Sequence, residues 1–235
     1  MKSKKSLINF DDSGYYFSVL IGLVILAFLL TYFSSFYNES PDFVFYFHLH
    51  SAMTITWIFM LILQPVLVKK KRFYAHRLIS LLSYLIFPYL IMSFILLAHN
   101  SHSLNEENLD ISLFIPFKDL VILIISFSIA IRYRKQTEIH TRGMIATGIA
   151  FIEPVLTRII NYTIVPTLIA YFLMIIVLYS FLLLMIFKER NQDKGRWLLP
   201  LILGLYISAH FIVVFKIHFG AWESASKWFI ALPLT

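Results

Sequence analysis

Seven apolar runs, most about 20 residues long, recur along this chain. About 20 apolar residues in a helix are what it takes to cross a hydrocarbon core of roughly 30 Å. The runs fall near residues 16–33, 43–68, 78–97, 111–131, 143–162, 167–187 and 197–217. The second is long enough to tilt or to project beyond the bilayer. The fifth is the weakest, because it contains Glu153, Pro154 and Arg158. The expected fold is all-α: a polytopic membrane protein built as a bundle of seven transmembrane helices. It forms one domain over residues 1–235, with an interfacial tail at 219–235 that holds Trp222 and Trp228. Charged residues make up only 14% of the chain against about 25% in soluble domains, and mean hydropathy is +0.78.

The connections fix an expected orientation. Lys2, Lys4 and Lys5 precede the first run, and Lys69, Lys70, Lys71, Arg72 and Arg77 separate the second from the third. Arg132, Arg134, Lys135 and Arg142 lie between the fourth and fifth, and Lys188, Arg190, Lys194 and Arg196 between the sixth and seventh. The alternate connections hold no Lys or Arg but carry Glu39, Asp42, Glu106, Glu107 and Asp110. The positive-inside rule then puts the N-terminus in the cytoplasm and the C-terminus outside. Removing or adding one run would break this alternation. The net charge of +7 is thereby a topology signal, and no nucleic-acid partner is needed to explain it. Cysteine is absent, which excludes disulfides, thiolate metal sites and thiol catalysis. A charged, then polar start (Phe10 to Gly14) leads into a full-length run without a small-residue cleavage site, so the first helix is expected to remain uncleaved.

Ionisable residues inside the apolar runs mark where function is expected, because a charge in hydrocarbon costs roughly 3 kcal/mol or more. His50 and His210 lie at matching depths, about 10 Å in from the outer ends of the second and seventh runs. Two histidines at one depth on two helices suit a bis-histidine haem or a shared metal. His48 is about 200° around the helix from His50 and is the second choice as a ligand. Tyr46, Thr54, Trp57 and Gln64 share the face of His50, which is expected to look into the bundle. Glu153, Thr157 and Asn161 form one stripe at spacing four, and Pro154 is expected to kink this helix. Arg158 points about 140° away from Glu153, so each needs a partner elsewhere. Asp119 is a candidate partner for Arg158, and Lys118 either snorkels or pairs with Glu153. The alternatives are structural ion pairs that set helix register, or a proton path or polar pocket with Glu153, Asp119 and Arg158 as its working groups.

A second layer lies at the cytoplasmic interface, where His76-Arg77 opens the third run and His140-Thr141-Arg142 precedes the fifth. These residues either anchor helices at the lipid headgroups or hold a second cofactor. In the cofactor case the histidines would ligate, while Arg77 and Arg142 would hold propionates or a phosphate.

His48-Leu49-His50, Trp57, Gln64-Pro65, Arg72 and His76-Arg77, followed by Ile139-His140-Thr141-Arg142-Gly143-Met144 and Arg158, resemble a pattern in bacterial multi-pass membrane proteins. The likeness covers roughly residues 43–160 and implies the cytoplasmic membrane of a bacterium, without an activity to transfer. The histidine placement is also loosely similar to the cytochrome b561 type, in which histidine pairs hold one haem near each face. That likeness implies haem b at His50 with His210 and at His76 with His140, and electron transfer with a quinone or a redox partner.

Three functions are therefore expected, in this order: a haem-binding or metal-binding redox protein; a non-catalytic transporter, assembly factor or accessory subunit; a zinc hydrolase. Seven runs with a cytoplasmic N-terminus look like the progestin-receptor and alkaline-ceramidase type. Zinc (or copper) would then sit on His50, His210 and Asp119, with Glu153 as base. His210 and His218 lie eight residues apart, which departs from the pair four apart of that type. Lys216 lies too near the end of the seventh run for a rhodopsin-like Schiff base.

Overall fold

The computed structural model describes residues 13–35, 41–163, 167–191 and 194–235. Lys2, Lys4, Lys5, residues 10–12 and Glu39 lie outside the described residues, as do the side chains of Asp42 and Asn161. All regular structure among the described residues is helical: α1 (Ser13–Ser35), α2 (Pro41–Lys69), α3 (Phe73–Asn100), α4 (Leu109–Arg132), α5 (Thr137–Ile149), α6 (Ile152–Thr163), α7 (Thr167–Glu189), α8 (Leu198–Val214) and α9 (Gly220–Ile230). Five stretches are long and apolar enough to cross a membrane: Phe45–Lys69, Phe73–Asn100, Leu109–Arg132, Thr137–Ile160 and Ile169–Glu189. Shorter apolar helices run over Phe17–Ala27 and Leu198–Val214. The chain is a multi-pass membrane protein.

Its surface agrees with that solvent. Leu81 and Leu85 on α3, and Ile176 and Leu184 on α7, are 58–66% exposed. Large aliphatic side chains left outside in continuous belts are stable against lipid tails rather than water. The helix ends follow the macrodipole: Lys69, Arg132 and Lys188 occupy last turns, and Asp110 and Glu138 first turns.

Interior packing explains which helices meet. α2 and α3 form an antiparallel hairpin, joined by a tight turn in which Lys71 adopts a left-handed conformation (φ 56°). Trp57 is fully buried against Phe87 and Phe127, whose rings stack at 3.9 Å, and its Nε1 donates to the Thr147 hydroxyl at 3.3 Å. Thr54 is buried as well, so the face shared by His50, Thr54 and Trp57 does turn inward. α4 and α5 approach closely at Gly143, where an added Cβ would fall 2.8 Å from that of Ala130. Small residues at such crossings let backbones meet without lipid between them.

The fifth run is not a kinked helix but two helices. The chain breaks at residues 150–151, where Phe151 N–H bonds to the Gly148 carbonyl at 3.2 Å in a tighter turn. Pro154 supplies the cause, since it has no N–H for the Ala150 carbonyl. The halves keep different company: α5 packs on α4 and α8, whereas α6 packs on α1 and α7.

The tail is a folded element rather than a loose anchor. α9 lies on the first half of α4, with Trp222 between Phe114 and Phe117 and its Nε1 donating to the Asp110 carbonyl at 2.7 Å. His218 meets the buried Asp110 carboxylate at 2.6 Å. Phe229 packs on Phe117 and His99. Trp228 alone of the two tail tryptophans points outward, at 66% exposure, as an interfacial anchor would.

Candidate functional site

The ionisable residues of α4, α6 and α8 converge on one buried cluster. Glu153, at the first turn of α6, is 2% exposed. One carboxylate oxygen meets Lys118 Nζ at 2.5 Å, and the other meets His210 Nε2 at 3.1 Å. Lys118 also donates to Asp119 Oδ1 at 2.8 Å. Lys118 and Asp119 are neighbours on α4 and point about 100° apart. The flexible lysine stem closes that gap, and its Nζ lies 5.5 Å from the centre of the Tyr206 ring. All of Lys118, Asp119, Glu153, His210 and Tyr206 are buried.

A shell of tyrosines surrounds His210. The Tyr179 hydroxyl lies 2.8 Å from Nδ1, so both ring nitrogens are engaged, one by a phenol and one by a carboxylate. Tyr206 lies one turn before His210 and stacks on it, and Tyr171 meets it edge-on. The hydroxyls of Tyr171 and Tyr206 are buried without a hydrogen-bond partner among the described residues. A buried unmet hydroxyl costs about 1–3 kcal/mol, which marks this as a place built for more than packing.

Charge counting states what the cluster can do. Two carboxylates face one ammonium, so with His210 neutral and both acids ionised the site carries one net negative charge. A buried uncompensated charge is strongly unfavourable. One additional proton on His210, Glu153 or Asp119 makes the cluster neutral. Groups this close titrate as a unit, and the proton belongs to the set rather than to one residue. The connected path Asp119–Lys118–Glu153–His210–Tyr179 spans α4, α6, α8 and α7.

The expected pairings are partly reordered. Lys118 does pair with Glu153, and Glu153 does not pair with Arg158. Asp119 takes Lys118 rather than Arg158 as its partner. Arg158 instead lies over the Phe47 ring, 5.5 Å from its centre. His50 is not joined to His210. Its Nδ1 lies 3.2 Å from the Ser93 hydroxyl and its Nε2 3.4 Å from that of Thr54, beside Phe94 of α3. His48 is partly buried beside Phe47, on another side of α2. A zinc site of His50, His210 and Asp119 with Glu153 as base is thus not assembled. Among the described residues no group of three or more His, Asp or Glu is arranged to hold a metal ion.

His76, at the start of α3, lies within the electrostatic influence of His140 on α5. His140 Nδ1 lies 2.9 Å from the Ala130 carbonyl, while His76 Nδ1 is buried without a partner among the described residues. Arg77 is exposed. Arg142 is not free to hold an anionic cofactor. Its Nε donates to Glu189 at 2.9 Å and its Nη1 to the Glu138 carbonyl at 2.8 Å, with Arg142 and Glu189 both buried.

The sequence reading missed Tyr171, Tyr179, Tyr206 and Glu189. For Tyr206 a signal existed, since it stands four residues before His210 on one face. For Glu189 there was none, because an acidic residue after an apolar run reads as a solvated helix end. No protein-family model matches this chain, nor does any curated protein or solved structure.

Proposed function

We propose that this is a proton-handling transport protein, in which the Glu153 cluster stores a proton and passes it in step with a solute. The observation that carries this reading is the sharing of one buried carboxylate, Glu153, between Lys118 and His210 in a site with two acids and one lysine. Intramembrane Asp, Glu and His chains are the usual parts of proton relays. The helix break beside Glu153 supports it further, since broken helices at membrane depth occur where a cavity or moving site needs them.

The topology that goes with this function is seven crossings with the N-terminus in the cytoplasm. α1 extends about 34 Å and α8 about 26 Å, close to what a span requires. The alternation of basic and acidic connections favours that orientation, and the resemblance to bacterial multi-pass proteins favours a bacterial cytoplasmic membrane. The test is infrared difference spectroscopy of the purified protein between acid and alkaline pH. A protonated-carboxyl stretch is expected that is lost or shifted in Glu153→Gln or Asp119→Asn. A spectrum without a carboxyl band sensitive to either change rejects the reading.

One observation favours a second reading, a haem or a copper or zinc ion at the inner histidines. His76 Nδ1 has no partner among the described residues, and His140 is oriented by a backbone carbonyl, as ligating histidines are. A redox role with a quinone or protein partner would follow from haem b there. At the outer pair, His50 and His210 would each have to give up one of their two ring-nitrogen hydrogen bonds first. An optical spectrum with metal analysis decides it. A Soret band or bound metal that disappears in His140→Ala supports the second reading, and its absence in wild type removes it.

A further inference from the structure

We infer that Arg158, seated over the Phe47 ring, is the docking point for an oxyanion, a carboxylate or phosphate group on the solute that moves with the proton. This names the substrate class of the transport site and rests on the proton-handling reading for its role.

Apart from Arg132 in the last turn of α4, helices α4, α5 and α6 hold three cations, and they are treated differently. Lys118 is neutralised by Asp119 and Glu153, and Arg142 by Glu189. Arg158 has no carboxylate against it among the described residues, only the face of Phe47. A guanidinium stays charged at any pH a cell experiences, so it cannot relieve its burial by giving up a proton. The aromatic ring holds the cation in place without satisfying its planar fork of N–H donors. A fork of that geometry matches a carboxylate or phosphate through two parallel hydrogen bonds.

The surroundings suit the same ligand. His50 lies three residues after Phe47 on α2, and its ring is held by the hydroxyls of Ser93 and Thr54. Arg158 keeps part of its surface accessible despite its place inside an apolar stretch. Arg158 lies five residues after Glu153 on α6, about 7.5 Å along the axis. An anion arriving at Arg158 therefore places negative charge close to a cluster that becomes neutral by gaining a proton. That is a physical route for moving anion and proton together.

The oxyanion can come from a free solute or from a lipid headgroup. The full-length chain is purified into nanodiscs of phosphatidylcholine alone, and equilibrium binding of radiolabelled benzoate and of inorganic phosphate is measured. A second set of nanodiscs contains phosphatidylglycerol. Saturable binding of benzoate or phosphate is expected, weakened about tenfold or more in Arg158→Gln. Loss of probe binding in the phosphatidylglycerol nanodiscs, with enrichment of that lipid dependent on Arg158, assigns the oxyanion to the headgroup. If Arg158→Gln does not fold, Arg158→Lys serves in its place, because it keeps the charge and loses the fork. No Arg158-dependent binding of benzoate, phosphate or phosphatidylglycerol overturns the inference. Arg158-dependent binding without the carboxyl signal of Glu153 instead leaves the anion site standing and removes the proton role.

Discussion

Replacing Lys118 by methionine tests the charge logic of the buried cluster most directly. The substitution keeps the length of the lysine stem but removes the ammonium group between Asp119 and Glu153. Both carboxylates are buried, and removing one partner of a buried ion pair typically costs about 3–5 kcal/mol. For a chain of this size that corresponds to a fall of roughly 6–20 °C in unfolding midpoint. The assay is thermal unfolding of the detergent-purified protein, followed by tryptophan fluorescence and by the monodisperse fraction. The combined variant Lys118→Met/Glu153→Gln removes one charge of each sign and returns the site to fewer uncompensated groups. It is expected to regain at least about 1.5 kcal/mol of the loss, as residues in one ionic network couple non-additively. A loss under about 1 kcal/mol in Lys118→Met, or simple addition of the two single effects, would refute the view that these groups act as one electrostatic unit.

Arg142→Met strands the buried Glu189 carboxylate, one oxygen of which already lacks a partner among the described residues, and should cost about 3–5 kcal/mol in thermal unfolding. Arg142→Met/Glu189→Met should be milder than either single change. Gly143→Ala forces a methyl group to 2.8 Å from Ala130 and should destabilise by about 1–3 kcal/mol. Gly204→Ala meets nothing within 4 Å, so it should be neutral or gain up to about 1 kcal/mol by the same measurement. Trp222→Ala removes the plug between Phe114 and Phe117 and should raise protease sensitivity of the 219–235 tail, whereas Trp228→Ala should not.

The class of fold was legible because apolar length and loop charge are one-dimensional properties that the bilayer reads directly. The Lys118–Glu153 contact was also within reach, because each residue demanded a partner and few were available at that depth. What the sequence could not supply is azimuth. His50 and His210 share a depth, yet one rests on α3 and the other on α6 and α7. Depth says how far in a residue sits, not which neighbour it faces. Pro154 announced a distortion, and only packing turned it into a break, with α5 and α6 held by different neighbours. Tyr171 and Tyr179 lie in a run that otherwise reads as a uniformly apolar span, so their polar ends carried no weight until His210 appeared beside them.

The cluster also sets a timetable for biogenesis. Lys118 and Asp119 leave the ribosome together, but Glu153 follows 35 residues later and His210 92 residues later. At typical synthesis rates of about 5–20 residues per second, the gap before His210 lasts on the order of 5–20 s. Until Glu153 emerges, α4 carries Lys118 and Asp119 with no later helix to share them, and Asp110 still awaits His218. The fourth helix is therefore the segment of this chain that a translocon or insertase must shelter until its later-born partners arrive.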